Sequence, residues 1–142
     1  MPIGRALTAA AKTASRAFNH ALAEAGGSLP TWLILLSLKT GKPGNQRELA
    51  RAVGIQGATL THHLNAMESD GLITRERDPG NRRIHRVRLT ERGETLFHTL
   101  AGAAREHDRQ LRTGFGEEEI AQLASLLDRL ARNVSADSVS EP

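Results

Sequence analysis

The chain has 142 residues, of which 39% are hydrophobic and 25% charged, values that suit one globular domain or a small domain with helical arms. It contains no cysteine, which excludes disulfides, thiolate catalysis and sensing by cysteine oxidation, and fits a cytoplasmic protein. The net charge is only +3, yet residues 75–88 hold six arginines against Glu76 and Asp78, a local surplus suited to phosphate groups.

Helical periodicity dominates the first half of the chain. The first helix carries mostly alanine on its apolar side and ends at Gly26-Gly27, whereas Pro30 opens a second helix that is apolar almost all round and should be buried. A break at Gly54 separates two shorter helices, and Gly71 closes the second of them. The four predicted helices span residues 4–25, 30–40, 46–53 and 58–70, with a stop at 41–44 after the second.

The second half begins with a change of apolar period from about 3.6 to about 2 residues, which predicts a β-hairpin with a basic tip. A turn is predicted at 78–81, and Thr90 is a good N-cap for the helix that follows. The last helix carries an apolar seam of coiled-coil type. The predicted elements are strands 72–77 and 84–89, helices 91–112 and 117–134, and a polar, disordered tail at 135–142.

A helix, a tight turn, a second helix and a basic hairpin follow the order of a winged helix-turn-helix. The predicted fold is therefore mainly α with a small β-hairpin wing, an α+β arrangement with dimerisation helices at both ends. The predicted domains are an N-terminal dimerisation helix at 1–29, the winged DNA-binding domain at 30–91, C-terminal dimerisation helices at 92–134 and the tail at 135–142.

The helix at 58–70 is the candidate recognition helix, because its outer face is small and polar, as base reading in the major groove requires. We expect Thr59 and His62 to reach base edges and Thr61 to hold phosphate. On the hairpin, Arg82 should enter the minor groove and Arg83 should support it or touch phosphate. The candidate DNA-binding residues are Gln56, Ala58, Thr59, Thr61, His62, Asn65, Arg75, Arg82 and Arg83.

Alternatives remain for parts of this interpretation. Arg75 is a lesser candidate that could instead pair with Asp70 or Glu76. Gln56 is a weak N-cap, kept either for a DNA contact or simply tolerated. An ordinary three-helix packing unit with a solvated outer face, or a winged-helix module that binds protein, would also show this order of elements.

The segment from Trp32 to Gly93 resembles the MarR family of bacterial transcriptional regulators. The resemblance rests on ELARAVGIQGATLTHHLNAMESDGLITRERDPGNRRIHRVRLTERG, which holds the join between recognition helix and wing and the exit from the wing. Two positions depart from the family pattern. Asn81 stands where the family usually has Asp before the wing arginines, and His62 stands where the recognition helix often has Arg, which reads guanine with a bidentate fork.

The terminal helices predict an obligate two-fold dimer with intertwined ends, because each carries an apolar stripe that the helix-turn-helix core leaves uncovered. Such a dimer should bind a pseudo-palindrome in double-stranded DNA with half-sites about one helical turn apart. The candidate dimerisation residues are Leu7, Phe18, Ile120, Leu123, Leu127 and Leu130.

The resemblance implies a cleft for a small aromatic or phenolic effector, between the dimer arm and the winged domain. Arg16 and His20 are candidates to meet a carboxylate there, and Trp32 could stack on a ring, although a core role suits Trp32 better. The sequence thus predicts a repressor that a small ligand releases from DNA. A metal-responsive regulator of the same fold is the alternative, with Glu106 and His107, together with His20 or Glu24, as possible ligands.

No nucleophile elbow, phosphate-binding loop, dinucleotide fingerprint or catalytic carboxylate pair is present, so we expect no catalytic residue, cofactor or enzymatic activity. No metal site is predicted from histidine spacing. The first residues lack the uninterrupted apolar core of a signal peptide, and no apolar run approaches the length that crosses a membrane.

Overall fold

The computed structural model describes residues 1–41, 46–78 and 80–135, without the side chains of residues 78 and 81–85. Most of the predicted tail and of the predicted stop at 41–44 lies outside the described residues. The elements, in chain order, are α1 (Ile3–Glu24), α2 (Leu29–Thr40), α3 (Gln46–Val53), α4 (Gly57–Ser69), β1 (Ile73–Asp78), β2 (Asn81–Leu89), α5 (Glu91–Leu111) and α6 (Glu117–Asn133). The predicted class, mainly helical with one antiparallel hairpin, is confirmed.

Among the described residues, no single helix combines the length and the apolarity needed to cross a bilayer, although α1 and α2, bent by 79° at their junction, reach that composition together.

The core gathers around α2, as its nearly continuous apolar sequence predicts. Trp32 is only 8% exposed and its ring stacks on Phe97 of α5, with ring centroids 5.7 Å apart. Leucines from α1, α3, α4 and α5 fill the remaining space with the apolar side of each helix. The fully buried side chains are Leu22, Ile34, Leu35, Leu49, Leu60, Leu64, Ile73 and Leu100.

The hairpin extends further toward its tip than the alternation of apolar and polar residues predicts. β1 runs to Asp78 and β2 begins at Asn81, whereas the second strand was predicted to start at Ile84. The register is regular from Ile73 opposite Leu89 to Arg77 opposite His85, and it then shifts so that Asp78 pairs with Asn81. Backbone pairing therefore continues beyond the stretch in which apolar and polar residues alternate.

The described chain divides into two compact units, residues 1–107 and residues from 108 onward. In the second unit, α6 has no buried residue. Leu123, Leu126 and Leu127 are 46%, 43% and 42% exposed, while Ile120 and Leu130 are partly buried. The predicted seam of α6 is therefore an apolar stripe that the described part of the single chain leaves largely open.

Candidate nucleic-acid interface

The two sides of α4 differ sharply in burial. Leu60 and Leu64 are fully buried and Met67 is 3% exposed, so one face of the helix packs on the core. Ala58, His62 and Asn65, four and three residues apart, share the opposite face, and all three are exposed. Thr59 is also exposed, beside this face. The structure thus brings four of the predicted DNA-binding residues together on an accessible side of one helix.

Thr61 lies on the flank of α4 and is engaged within the protein. Its hydroxyl donates to the Gly57 carbonyl at 2.9 Å and accepts from Gln46 Nε2 of α3 at 2.7 Å. The hydroxyl therefore links the two helices of the helix-turn-helix, and it must change partners to donate to a phosphate. Gln56 precedes α4 as its N-cap residue and makes no side-chain capping bond.

Arg75 of β1 does not use either partner proposed for it from the sequence. Its guanidinium bonds to Glu68 Oε1 at 2.9 Å and to Asn65 Oδ1 at 2.5 Å, both on α4, instead of to Asp70 or Glu76. Glu68 lies one helical turn beyond Asn65, so one guanidinium can reach both side chains at once. Strand sequence alone could not indicate this, because the partners depend on how β1 crosses the end of α4.

The rest of the hairpin carries several exposed cations. Arg77, Arg86 and Arg88 are exposed, and Glu76 lies opposite Arg86 in the ladder. Arg82 and Arg83, the two predicted minor-groove residues, lie on β2, but their side chains are outside the described part of the chain. The described portion alone still gives the hairpin a positive outer surface beside α4.

A tight junction connects the end of α4 to the start of α5. Gly71 has φ of +75°, which suits glycine, and Leu72 N donates to the Met67 carbonyl at 2.9 Å to close α4. Thr90 Oγ1 donates to the Gly71 carbonyl at 2.6 Å and accepts from Gly93 N at 3.0 Å. The predicted N-cap of α5 therefore also fastens α5 to the end of the recognition helix.

Two further cations were missed by the sequence analysis. Arg47 and Arg51, four residues apart on α3, are both exposed. In helix-turn-helix proteins, the helix before the recognition helix crosses the DNA backbone, so exposed arginines there suit phosphate contacts. Their spacing was the available signal, because residues four apart share one helix face.

The three predicted ligand residues lie in different surroundings. Trp32 is in the core against Phe97, and His20 pairs with Glu24 on α1, with 3.1 Å between Nε2 and Oε1. Arg16 lines an open groove of about 470 Å³ along α1, which neither His20 nor Trp32 lines. The residues of this groove are Leu7, Thr8, Ala11, Lys12, Ser15, Arg16 and Asn19.

A larger open cleft, of about 680 Å³, lies between the end of α2, β2 and the start of α5. Leu38, Val87 and Leu89 supply its apolar surface. Its charged residues are Lys39, Arg86, Arg88 and Glu94, of which Lys39 and Glu94 form an ion pair at 2.8 Å. The cleft thus combines an apolar floor with cationic walls.

Two of the described histidines lie next to each other, since the rings of His62 and His63 on α4 have centroids 5.9 Å apart. His107 stacks on Phe18, with ring centroids 4.9 Å apart, and His98 Nε2 lies 3.9 Å from Glu94 Oε2. Within residues 1–41, 46–78 and 80–135, no three histidine or carboxylate side chains are grouped to hold a metal ion.

Comparison with known proteins places this interface in context. Residues 28–85 match the MarR family. The transcriptional repressor CouR, bound to a 23-mer DNA duplex, is 30% identical, with 92% of each chain covered and a TM-score of 0.81. A probable transcriptional regulator from Pseudomonas aeruginosa is 30% identical over 91% of this chain and 96% of its own, with a TM-score of 0.76. An organohalide-sensing transcriptional regulator in its 2,4-dichlorophenol-bound form shares the fold at 21% identity, over 93% and 79% of the chains, with a TM-score of 0.79.

Proposed function

The chain belongs to the MarR family of DNA-binding transcriptional regulators, and we propose that it is a dimeric repressor that reads a pseudo-palindromic operator. The observation that carries this proposal is the exposed polar face of α4 beside an arginine-bearing hairpin. An α-helix fits the major groove of B-DNA, and a cationic wing beside it suits the neighbouring phosphates and minor groove. With DNA as its partner, the protein would work in the cytoplasm.

The exposed face of α4 reads the bases, and the neighbouring helix α3 and the hairpin bind phosphates. His62 and Thr59 carry polar groups that can reach base edges, while Ala58 leaves room for close approach. Arg47 and Arg51 of α3 supply phosphate contacts on one side. The hairpin supplies them on the other, with Arg82 proposed for the minor groove and Arg83 for its support.

The proposal of a dimer rests on apolar side chains that are exposed in the single chain. Leu123, Leu126 and Leu127 of α6 expose more than two fifths of their surface, as does Leu7 of α1. Exposed apolar residues grouped on a helix, as on α6, mark a protein interface. A second copy would cover these stripes and would pair two recognition helices about one helical turn of DNA apart, the spacing that a pseudo-palindrome provides.

Release by a small ligand completes the proposal. The CouR structure is that of a repressor, and a more distant protein of this fold binds 2,4-dichlorophenol. The apolar floor and cationic walls of the cleft at Lys39 suit an aromatic anion, and the groove at Arg16 offers a second, shallower location. A ligand can release DNA only if it favours the dimer that binds DNA poorly, since equal binding to both forms shifts nothing.

The decisive experiment selects duplexes from a random library with the full-length protein and then measures affinity against salt. We expect a two-fold symmetric site, bound as one dimer, with affinity falling steeply as salt rises because arginine–phosphate contacts release counterions. Unselected duplex of the same length is the control. Selection of no sequence, or affinity independent of salt, would contradict the proposal and favour a module that binds protein.

A second experiment screens for the effector, using the protein bound to the operator that the selection identifies. Aromatic carboxylates, phenols and divalent metal ions are added in turn, and both operator release and thermal unfolding are followed. An effector should release DNA and raise the midpoint of unfolding of the free protein. Lys39→Ala and Arg16→Ala compare the two locations, because only the variant at the true site should lose the response. A protein that responds to none of these compounds would act as a constitutive repressor.

A further inference from the structure

Arg75 connects the wing to the base-reading face of α4 through three hydrogen bonds. Its Nη2 donates to Asn65 Oδ1 at 2.5 Å and to Glu68 Oε1 at 2.9 Å. Its backbone N–H donates to Glu68 Oε2 at 3.1 Å. The Arg75 side chain is 18% exposed, and its charge is matched by that of Glu68. These contacts hold Arg75 along α4, where it acts as a link within the protein instead of a cation presented to phosphate.

The bond from Arg75 determines which end of the Asn65 amide accepts and which end donates hydrogen bonds. A guanidinium has only N–H donors, so the Asn65 atom that it meets must be the carbonyl oxygen and not the amide nitrogen. The Asn65 amide therefore cannot exchange its two ends freely. Among the described residues, no acceptor bonds to Asn65 Nδ2, and Asn65 shares the exposed face of α4 with His62. Asn65 thus presents N–H donors outward, while its acceptor is engaged.

We infer that Arg75 makes Asn65 a donor in base recognition, so that Asn65 selects guanine or thymine on the strand that it contacts. This inference rests on the proposed operator binding. In the major groove, guanine offers two acceptors, N7 and O6, and thymine offers O4, whereas adenine has one acceptor, N7, beside an amino donor, and cytosine presents an amino donor. An unrestrained asparagine favours adenine, because it accepts from N6 and donates to N7 together. Arg75 occupies one of the two lone pairs of Oδ1 and holds the carbonyl toward itself, which weakens the accepting half of that pair.

Arg75 is accordingly a positioning residue and Asn65 the residue that determines specificity. Glu68 accepts from the guanidinium through Oε1 and from the Arg75 backbone N–H through Oε2, so the base of the wing, Arg75 and Asn65 form one connected unit. Loss of Arg75 should change which base is preferred, and not merely how tightly all sequences bind. This distinction separates a positioning role from a phosphate contact, which carries no sequence information.

The test is selection from a random duplex library, followed by affinity measurements with all four bases at the position that Asn65→Ala affects. For the wild type we expect guanine or thymine to be preferred over adenine by about 3- to 10-fold, the range of one hydrogen bond. Arg75→Met should move this preference toward adenine, and Arg75→Lys, which keeps a charged donor, should retain part of it. Arg77→Met is the matched control, an exposed arginine of the same strand, and should leave the preference unchanged.

Asn65→Asp provides a second test, which does not depend on whether the Arg75 variants fold. Aspartate keeps the bond to Arg75 but offers DNA only acceptors, so the preferred base should change to cytosine or adenine, which present amino groups. The inference is overturned if Arg75→Met or Asn65→Asp keeps the wild-type preference, or if Arg75→Met weakens all sequences equally with a shallower salt slope. If the wild type itself selects no sequence, the proposed function fails with it; if it selects a palindrome that these variants do not alter, only the role of Arg75 and Asn65 fails.

Discussion

Gly93, in the first turns of α5, packs directly against the backbone that leaves α4. A Cβ atom at this position would lie 2.1 Å from the Leu72 carbonyl oxygen and 3.1 Å from its carbon. Close carbon–oxygen contacts in proteins are about 3.3 Å or longer, so Gly93→Ala requires the two segments to separate by about 1 Å. The same carbonyl accepts a hydrogen bond from Thr90 N at 3.1 Å, which this separation would strain.

The expected cost follows from these contacts. Overpacking against backbone costs about 1–3 kcal/mol and a weakened hydrogen bond about 1 kcal/mol, while alanine returns about 0.4–1 kcal/mol by restricting the unfolded chain. We therefore expect Gly93→Ala to lower the free energy of unfolding by about 1–3 kcal/mol. Because the clash separates α5 from the end of the recognition helix, affinity for the selected operator should fall more than affinity for random duplex.

The assay is urea unfolding followed by circular dichroism, at one protein concentration because dimerisation makes the midpoint depend on it. Gly102→Ala is the matched control on the same helix, since the nearest atom to its added Cβ is Arg105 Nη2 at 3.8 Å. That variant should be as stable as the wild type or more stable by up to about 1 kcal/mol. Equal unfolding midpoints for Gly93→Ala and the wild type would refute the reasoning.

Three further predictions concern the interface and the dimer. Leu127→Asp places a charge on the exposed stripe of α6. The variant should lose dimerisation, followed by sedimentation, and operator binding, followed by fluorescence anisotropy, because a charge is costly to bury in an interface. A wild-type chain that is monomeric at micromolar concentration would contradict the premise. Arg82→Ala should weaken operator binding by about 1–3 kcal/mol and reduce the preference for A/T pairs beneath the wing. Wild-type affinity in this variant would show that Arg82 makes no minor-groove contact. His62→Ala should change the selected base at particular positions, and identical selection by this variant and the wild type would exclude base reading by His62. Thr61→Ala should weaken binding to all sequences alike, because it removes the hydrogen bond between Thr61 and Gln46.

Much of the architecture could be predicted from local pattern. The spacing of Leu60, Leu64 and Met67 identified the buried side of α4, and the structure buries all three. Gly71 marked the end of that helix, where its positive φ is observed. Helix periodicity and helix-ending glycines are properties of short segments, so they can be read before any tertiary contact is known.

The partners of individual polar side chains could not be predicted in this way. Asp70 and Glu76 are nearer to Arg75 along the sequence than Asn65 and Glu68, yet the guanidinium bonds to the latter pair. Likewise, nothing local to Thr61 indicates that its hydroxyl accepts from Gln46. The amino-acid sequence by itself determined which faces are apolar and where helices end, because these follow from residue type and spacing. Only the tertiary structure decided which polar groups meet, since that depends on the angle and distance at which separate elements pack.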